Sequence, residues 1–181
     1  MTRPRLAFIL TAAGAALRKS AAARADEPAP RLSWVLHRPL RQVTAAFCHP
    51  ADPRIAYVAT HDGLMVTTDE GRSFEALEAA SAEAVGRVTA LAVSPADEKL
   101  IILGTEANGL FRSDDGGKTF KPFASAADEE TGARGLAHDH VEFIMFDTGD
   151  PSWRTVWVTH GKEATGLSVT RDLGESWYVW G

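Results

Sequence analysis

The chain has 181 residues, 45% hydrophobic and 24% charged, a balance suited to a globular protein with one substantial core. Its formal net charge of −5 supplies no basic footprint, which argues against a nucleic-acid partner. The single cysteine, Cys48, excludes a disulfide within the chain and reads as a free thiol at a strand end.

Taken in chain order, the first 25 residues read as an export signal rather than as part of the fold. Arg3 and Arg5 precede an apolar run from Leu6 to Leu17, and Ala23-Arg24-Ala25 supplies the small residues of a cleavage site. About a dozen apolar residues are too few to cross a bilayer, which takes about 20. The expected product begins at Asp26, has no membrane span, and is periplasmic or secreted from a bacterial cell. Arg18 and Lys19, between the run and the cleavage site, keep open a second reading as an uncleaved amphipathic anchor. Residues 26–40, centred on Trp34-Val35-Leu36, form an N-terminal segment able to supply one outer strand.

From residue 41 to 181 the chain repeats three times, over about 41–80, 86–124 and 138–181. Each copy opens on a short apolar run: Val43-Thr44-Ala45-Ala46-Phe47, Val88-Thr89-Ala90-Leu91-Ala92 and Val141-Glu142-Phe143-Ile144-Met145. Such runs suit strands buried on both faces. Pro- and Asp-rich turns follow, then second strands over Ile55–Thr60, Leu100–Thr105 and Thr155–Thr159. Polar loops ending in Gly63-Leu64, Gly109-Leu110 and Gly166-Leu167 lead to a third strand, a tight turn and a fourth strand. A four-stranded unit recurring every 45 to 57 residues has the size of a propeller blade.

The turn between the third and fourth strands carries the most specific signal. It reads Thr67-Thr68-Asp69-Glu70-Gly71-Arg72-Ser73-Phe74, then Ser113-Asp114-Asp115-Gly116-Gly117-Lys118-Thr119-Phe120, then Thr170-Arg171-Asp172-Leu173-Gly174-Glu175-Ser176-Trp177. All three fit [S/T]-x-D-x-G-x-[S/T]-[F/W]. Asp69, Asp115 and Asp172 are suited to accept backbone N–H bonds of their own turns. Gly71, Gly117 and Gly174 permit the positive φ of a tight hairpin. Phe74, Phe120 and Trp177 are expected to bury a ring between neighbouring sheets. The three aspartates are therefore read as structural. Their spacing lacks the alternating ligands of a calcium loop.

This pattern resembles the Asp-box, or BNR, repeat of the sialidase-type β-propeller superfamily, whose blades also occur in xyloglucan-degrading glycoside hydrolases, the photosystem II assembly factor family and sortilin-type receptors. The resemblance implies an all-β fold of three four-stranded antiparallel blades, with ligands met by loops on the face opposite the aspartate hairpins. It does not fix a chemistry. A sialidase resemblance would also imply Arg-Ile-Pro and a tyrosine nucleophile; Arg54-Ile55 is followed by Ala56, and Tyr57 and Tyr178 fall inside strands. A xyloglucanase-like site would need two facing carboxylates, for which Asp62, Glu106, Asp139 and Glu163 are the loop candidates.

On the expected ligand face lie His61, Asp62, Glu106, Asn108, His138, Asp139, His140, His160, Lys162 and Glu163. His61, Glu106 and His160 each follow a threonine and are aligned as one repeat position. Histidines and carboxylates on a face can bind a metal or move protons, and equally serve as solvated loop residues; no catalytic, metal or cofactor residue is assigned. The expected function is non-catalytic binding or assembly with a protein or glycan partner, the alternative a glycoside hydrolase-like enzyme or its degenerate remnant. Closed propellers use about four to eight blades. Three therefore read as part of a longer or split product, as half of a homodimeric ring, or as an open capped array.

Overall fold

The computed structural model describes residues 40, 42–49, 52–126, 135–161 and 166–180. Residues 1–25, read above as an export signal, and the expected outer strand around Trp34 lie outside them. Among the described residues thirteen strands form three separate sheets. The first blade holds β1 (Val43–Cys48), β2 (Ala56–Thr60), β3 (Gly63–Thr67) and β4 (Glu75–Ser81), paired antiparallel in chain order. One helical turn, Ala82–Val85, is capped by the Ser81 hydroxyl and leads to the second blade. That blade contains β5 (Val88–Val93), β6 (Ile101–Thr105), β7 (Leu110–Ser113) and β8 (Lys121–Ala126). The third blade contains β10 (Val141–Phe146), β11 (Val156–His160), β12 (Gly166–Thr170) and β13 (Tyr178–Trp180).

The expected four strands per blade need one correction. The middle sheet has a fifth, β9 (Gly135–Leu136), which runs parallel to β8 through Ser125↔Gly135 and Ala126↔Leu136. The chain passes along the outer edge of the second blade on its way to the third, satisfying backbone groups that an open edge would leave unpaired.

Each innermost strand carries a bulge at its second residue, between Val43 and Ala45, Val88 and Ala90, and Val141 and Phe143. A bulged residue leaves the ladder and its side chain is re-aimed. Thr44 therefore donates its hydroxyl to the Val88 carbonyl of the second blade at 2.8 Å, and Thr89 donates to the Val141 carbonyl of the third. Glu142 occupies the same place in the third blade.

The core lies between blades. Tyr57, Ala59 and Leu64 of the first blade pack with Val88, Leu91, Val93, Ile101 and Leu103 of the second. The alternate residues Ala90, Ala92, Ile102 and Leu110 of the second pack with Val141, Ile144, Phe146, Val156 and Val158 of the third. The pleat sends successive side chains to opposite faces, so the middle blade feeds both clusters. This corrects the expectation that all three innermost strands are buried on both faces. β5 alone is nearly all buried, whereas β1 is largely exposed and β10 exposes Glu142, Phe143 and Met145. Among the described residues only β5 has a blade on each side.

Val141 fits against Gly104, where an added Cβ would collide with its Cγ1 and Cβ. Gly104→Ala is expected to overpack this seam and destabilise the protein by about 1–3 kcal/mol, read as a lower denaturation midpoint. An unchanged midpoint would mean that the second and third blades do not pack this closely.

Candidate functional site

The three aspartate hairpins share one set of hydrogen bonds. Asp69 Oδ1 accepts from Ser73 N (2.8 Å) and its Oδ2 from Ser73 Oγ (2.6 Å). Asp115 accepts from Thr119 N and Oγ1 at 2.9 and 2.7 Å, and Asp172 from Ser176 N and Oγ at 2.9 and 2.6 Å. The hydroxyl at the head of each turn, from Thr67, Ser113 or Thr170, donates to the same carboxylate and accepts from the turn glycine N–H. Two successive positive-φ residues close each turn: Glu70 and Gly71, Gly116 and Gly117, Leu173 and Gly174. The paired hydroxyl, above all, holds Asp69 and Asp115 down at about 2, and Ser176 does the same to Asp172, well below the usual carboxylate range. Such groups stay ionised while they hold their own turns together.

The ring following each hairpin behaves differently in each blade. Phe120 packs against the cluster between the first and second blades, and Trp177 against that between the second and third. Phe74 is half-buried and belongs to neither, and among the described residues no blade lies on that side of its own. The expected burial between sheets thus fails for Phe74.

At the loop end, the structure joins residues from different blades. Arg87, just before β5, contacts His61 of the first blade and donates from Nη1 to Glu106 Oε2 at 2.9 Å. Arg87 was not among the sequence candidates. His140 Nδ1 lies 3.0 Å from the Glu106 carbonyl, and His138 Nδ1 accepts from His140 N at 2.9 Å. The result is a polar rim running across all three blades.

The other candidates are mostly structural. Asp139 Oδ1 accepts from Ala126 N at 2.7 Å, and Asn108 donates to the Val85 carbonyl at 3.1 Å. Asp62 is exposed. Lys162 and Glu163 lie outside the described residues. His160 corrects the sequence alignment: Val43↔Thr60, Val88↔Thr105 and Val141↔His160 are the equivalent pairs, so it matches Thr60 and Thr105 rather than His61 and Glu106. It is 4% exposed, with Nδ1 3.1 Å from the His140 carbonyl and Nε2 2.8 Å from Ser168 Oγ. A carbonyl can only accept, so Nδ1 carries the proton and Nε2 accepts from Ser168. Burial, reinforced by the nearby His138 and His140, pushes its pKa down. Among the described residues no three His, Cys, Asp or Glu side chains gather to hold a metal.

A second feature is a groove of about 470 Å³ lined by β1, β5 and β10. Its walls are apolar apart from Thr44, Thr89, Thr148 and Glu142. Among the described residues no helix is long and apolar enough to cross a membrane.

No protein-family model and no curated protein matches the sequence. Among solved structures the chain resembles an ancestral GH74 enzyme (TM-score 0.57, 18% identity, 75% of this chain and 18% of that one). It also resembles the GH74 xyloglucanase from Xanthomonas campestris (TM-score 0.50, 25% identity, 77% and 23%). A third similar structure is YCF48 bound to D1 peptide (TM-score 0.52, 12% identity, 80% and 41%). The chain spans less than half the length of each of them.

Two stability measurements test the site. A depressed carboxyl adds stability that is complete above its ordinary value near about 4 and disappears as pH falls through its folded value. Asp115→Ala should therefore be less stable than wild type at pH 7, with the difference shrinking between pH about 4 and about 2; a constant difference would contradict the pinned carboxylate. The lowered pKa of His160 adds stability present above about 6.5 and lost as pH falls below it. Relative to His160→Gln, wild type should lose stability from pH 7 to pH 5, and parallel curves would contradict a buried neutral imidazole. Taken together, the three sheets and these structural likenesses give the chain an all-β fold of propeller type.

Proposed function

We propose that this chain is an exported, non-catalytic binding or assembly protein that recognises a protein or glycan partner through the rim formed by His61, Arg87 and Glu106. The observation carrying this reading is the placement of Arg87. It bridges groups from two blades while its side chain stays 46% exposed, leaving guanidinium donors available at a preorganised position. Two of the nearby carboxylates are committed to other bonds: Glu106 pairs with Arg87, and Asp139 holds the Ala126 amide. Support for a protein ligand comes from YCF48, which was solved with D1 peptide bound. Export rests on the Arg3-to-Ala25 pattern.

The second reading, a glycoside hydrolase-like protein using Asp62, Glu106 or Asp139, draws on the likeness to the Xanthomonas campestris xyloglucanase. One experiment separates them: titrating the protein with a peptide library and with xyloglucan oligosaccharides while following product release. Saturable binding without turnover, weakened about tenfold by Arg87→Ala, about 1.4 kcal/mol, is expected. Xyloglucan cleavage that disappears in Glu106→Ala or Asp139→Ala would overturn the binding reading.

A further inference from the structure

The two outward faces of the blade array carry the complementary halves of the packing that already joins its blades. The forward-facing residues are Tyr57 and Leu77 in the first blade and Ile102 and Phe123 in the second, all buried against the next blade or packed on its core. Strand pairing places Trp157 at the position of Tyr57 and Ile102 in the third blade, and Trp180 follows its hairpin ring Trp177 at the same offset as Leu77 follows Phe74 and Phe123 follows Phe120. Beside them, Phe143 and Met145 correspond to Ala90 and Ala92, which are covered by the third blade. Phe143, Met145 and Trp180 are instead 55%, 46% and 52% exposed. These form a large apolar face of the kind that marks an interaction surface.

The opposite face of the first blade lacks the residues that such a face would receive. Val88 and Val141 are fully buried against the preceding blade, while their equivalent Val43 is 50% exposed. Leu91, Val93 and Ile101 are large, whereas their equivalents Ala46, Cys48 and Ala56 are small. Large side chains on one open face are thus matched by small ones on the other, the volume relation that close packing requires. The hairpin glycines repeat the message. An added Cβ on Gly117 would lie 3.0 Å from Leu77, and one on Gly174 would collide with Phe123, but among the described residues Gly71 faces only its own Phe74. Trp180 is the unfilled counterpart of Leu77 and Phe123.

We propose that the third blade of one copy docks, through Phe143, Met145 and Trp180, on the first blade of a second copy, through Val43, Cys48 and Gly71. Two such seams related by a twofold axis join six blades into a closed ring, within the range of blade numbers that propellers use. Both halves of the seam reside on one chain, and its form continues the two seams already present within that chain; this makes a second copy the fitting partner. The proposal is independent of the loop-end reading, which concerns a different surface.

The new seam differs from the internal ones at one point. Thr44 and Thr89 each donate a hydroxyl to the valine carbonyl of the following blade. Glu142 stands at that position, and a carboxylate cannot donate. The seam between copies therefore lacks a bond that the internal seams have, and the dimer dissociates on dilution.

Measuring the solution mass of the full chain across a concentration series tests this. Wild type is expected to reach twice the chain mass and to dissociate on dilution, with Cys48 reacting more slowly with a thiol reagent in the dimer. Trp180→Arg should shift the protein to monomer and restore Cys48 reactivity. Glu142→Thr should tighten the dimer by about tenfold, the worth of one modest hydrogen bond at each of two seams. A wild type and Glu142→Thr variant that both stay monomeric would overturn the proposal, as would a dimer indifferent to both substitutions. A mass that climbs without limit would overturn the closed ring.

Discussion

Each blade depends on a carboxylate that accepts the N–H and hydroxyl of a residue four positions further along the chain. A turn with two successive positive-φ residues is costly for most sequences. The carboxylate and the leading hydroxyl replace the turn's missing backbone partners, fixing where the fourth strand begins. The ring at the end of the turn is then delivered to the neighbouring blade, as Phe120 and Trp177 show. Local hydrogen bonding thereby sets the geometry of long-range packing.

The blades are held to one another by a second recurring device. A bulge turns Thr44 and Thr89 out of their own ladders and toward the next blade, while the following valine inserts beside a small residue, as Val141 does at Gly104. Apolar contact supplies the adhesion, and the single hydroxyl bond fixes the register. Residues on the loop end then meet from different blades. Arg87 pairs with Glu106 inside the second blade and reaches His61 because that blade is seated against the first.

The all-β class and the three repeating units were legible because hairpin chemistry is local: Asp69, Asp115 and Asp172 each bond within five residues. Features that depend on a distant partner were not. Arg87 sits in no recurring motif, and its significance lies in groups 26 and 19 positions away. β9 is two residues long and is defined only by its pairing with β8. His160 was misplaced because Thr159 imitates Thr60 and Thr105, whereas the strand register puts His160 itself opposite Val141. The buried Ser168, which accepts from Ala137 N and donates to the ring, was the local clue. The exposure of β1 and β10 was not legible because each opens its repeat on the same kind of apolar run as β5, whereas burial is set by how many blades lie beside the strand.

Closure of the blades depends most directly on the state of the hairpin carboxyls, which carbon-detected NMR can follow through an acid titration. Asp69 and Asp115 should titrate near about 2 and Asp172 well below the ordinary range, each in step with the amide proton of Ser73, Thr119 or Ser176. Midpoints near the ordinary aspartate value of about 4, with those amides unresponsive, would contradict the claim that these carboxylates close the blades.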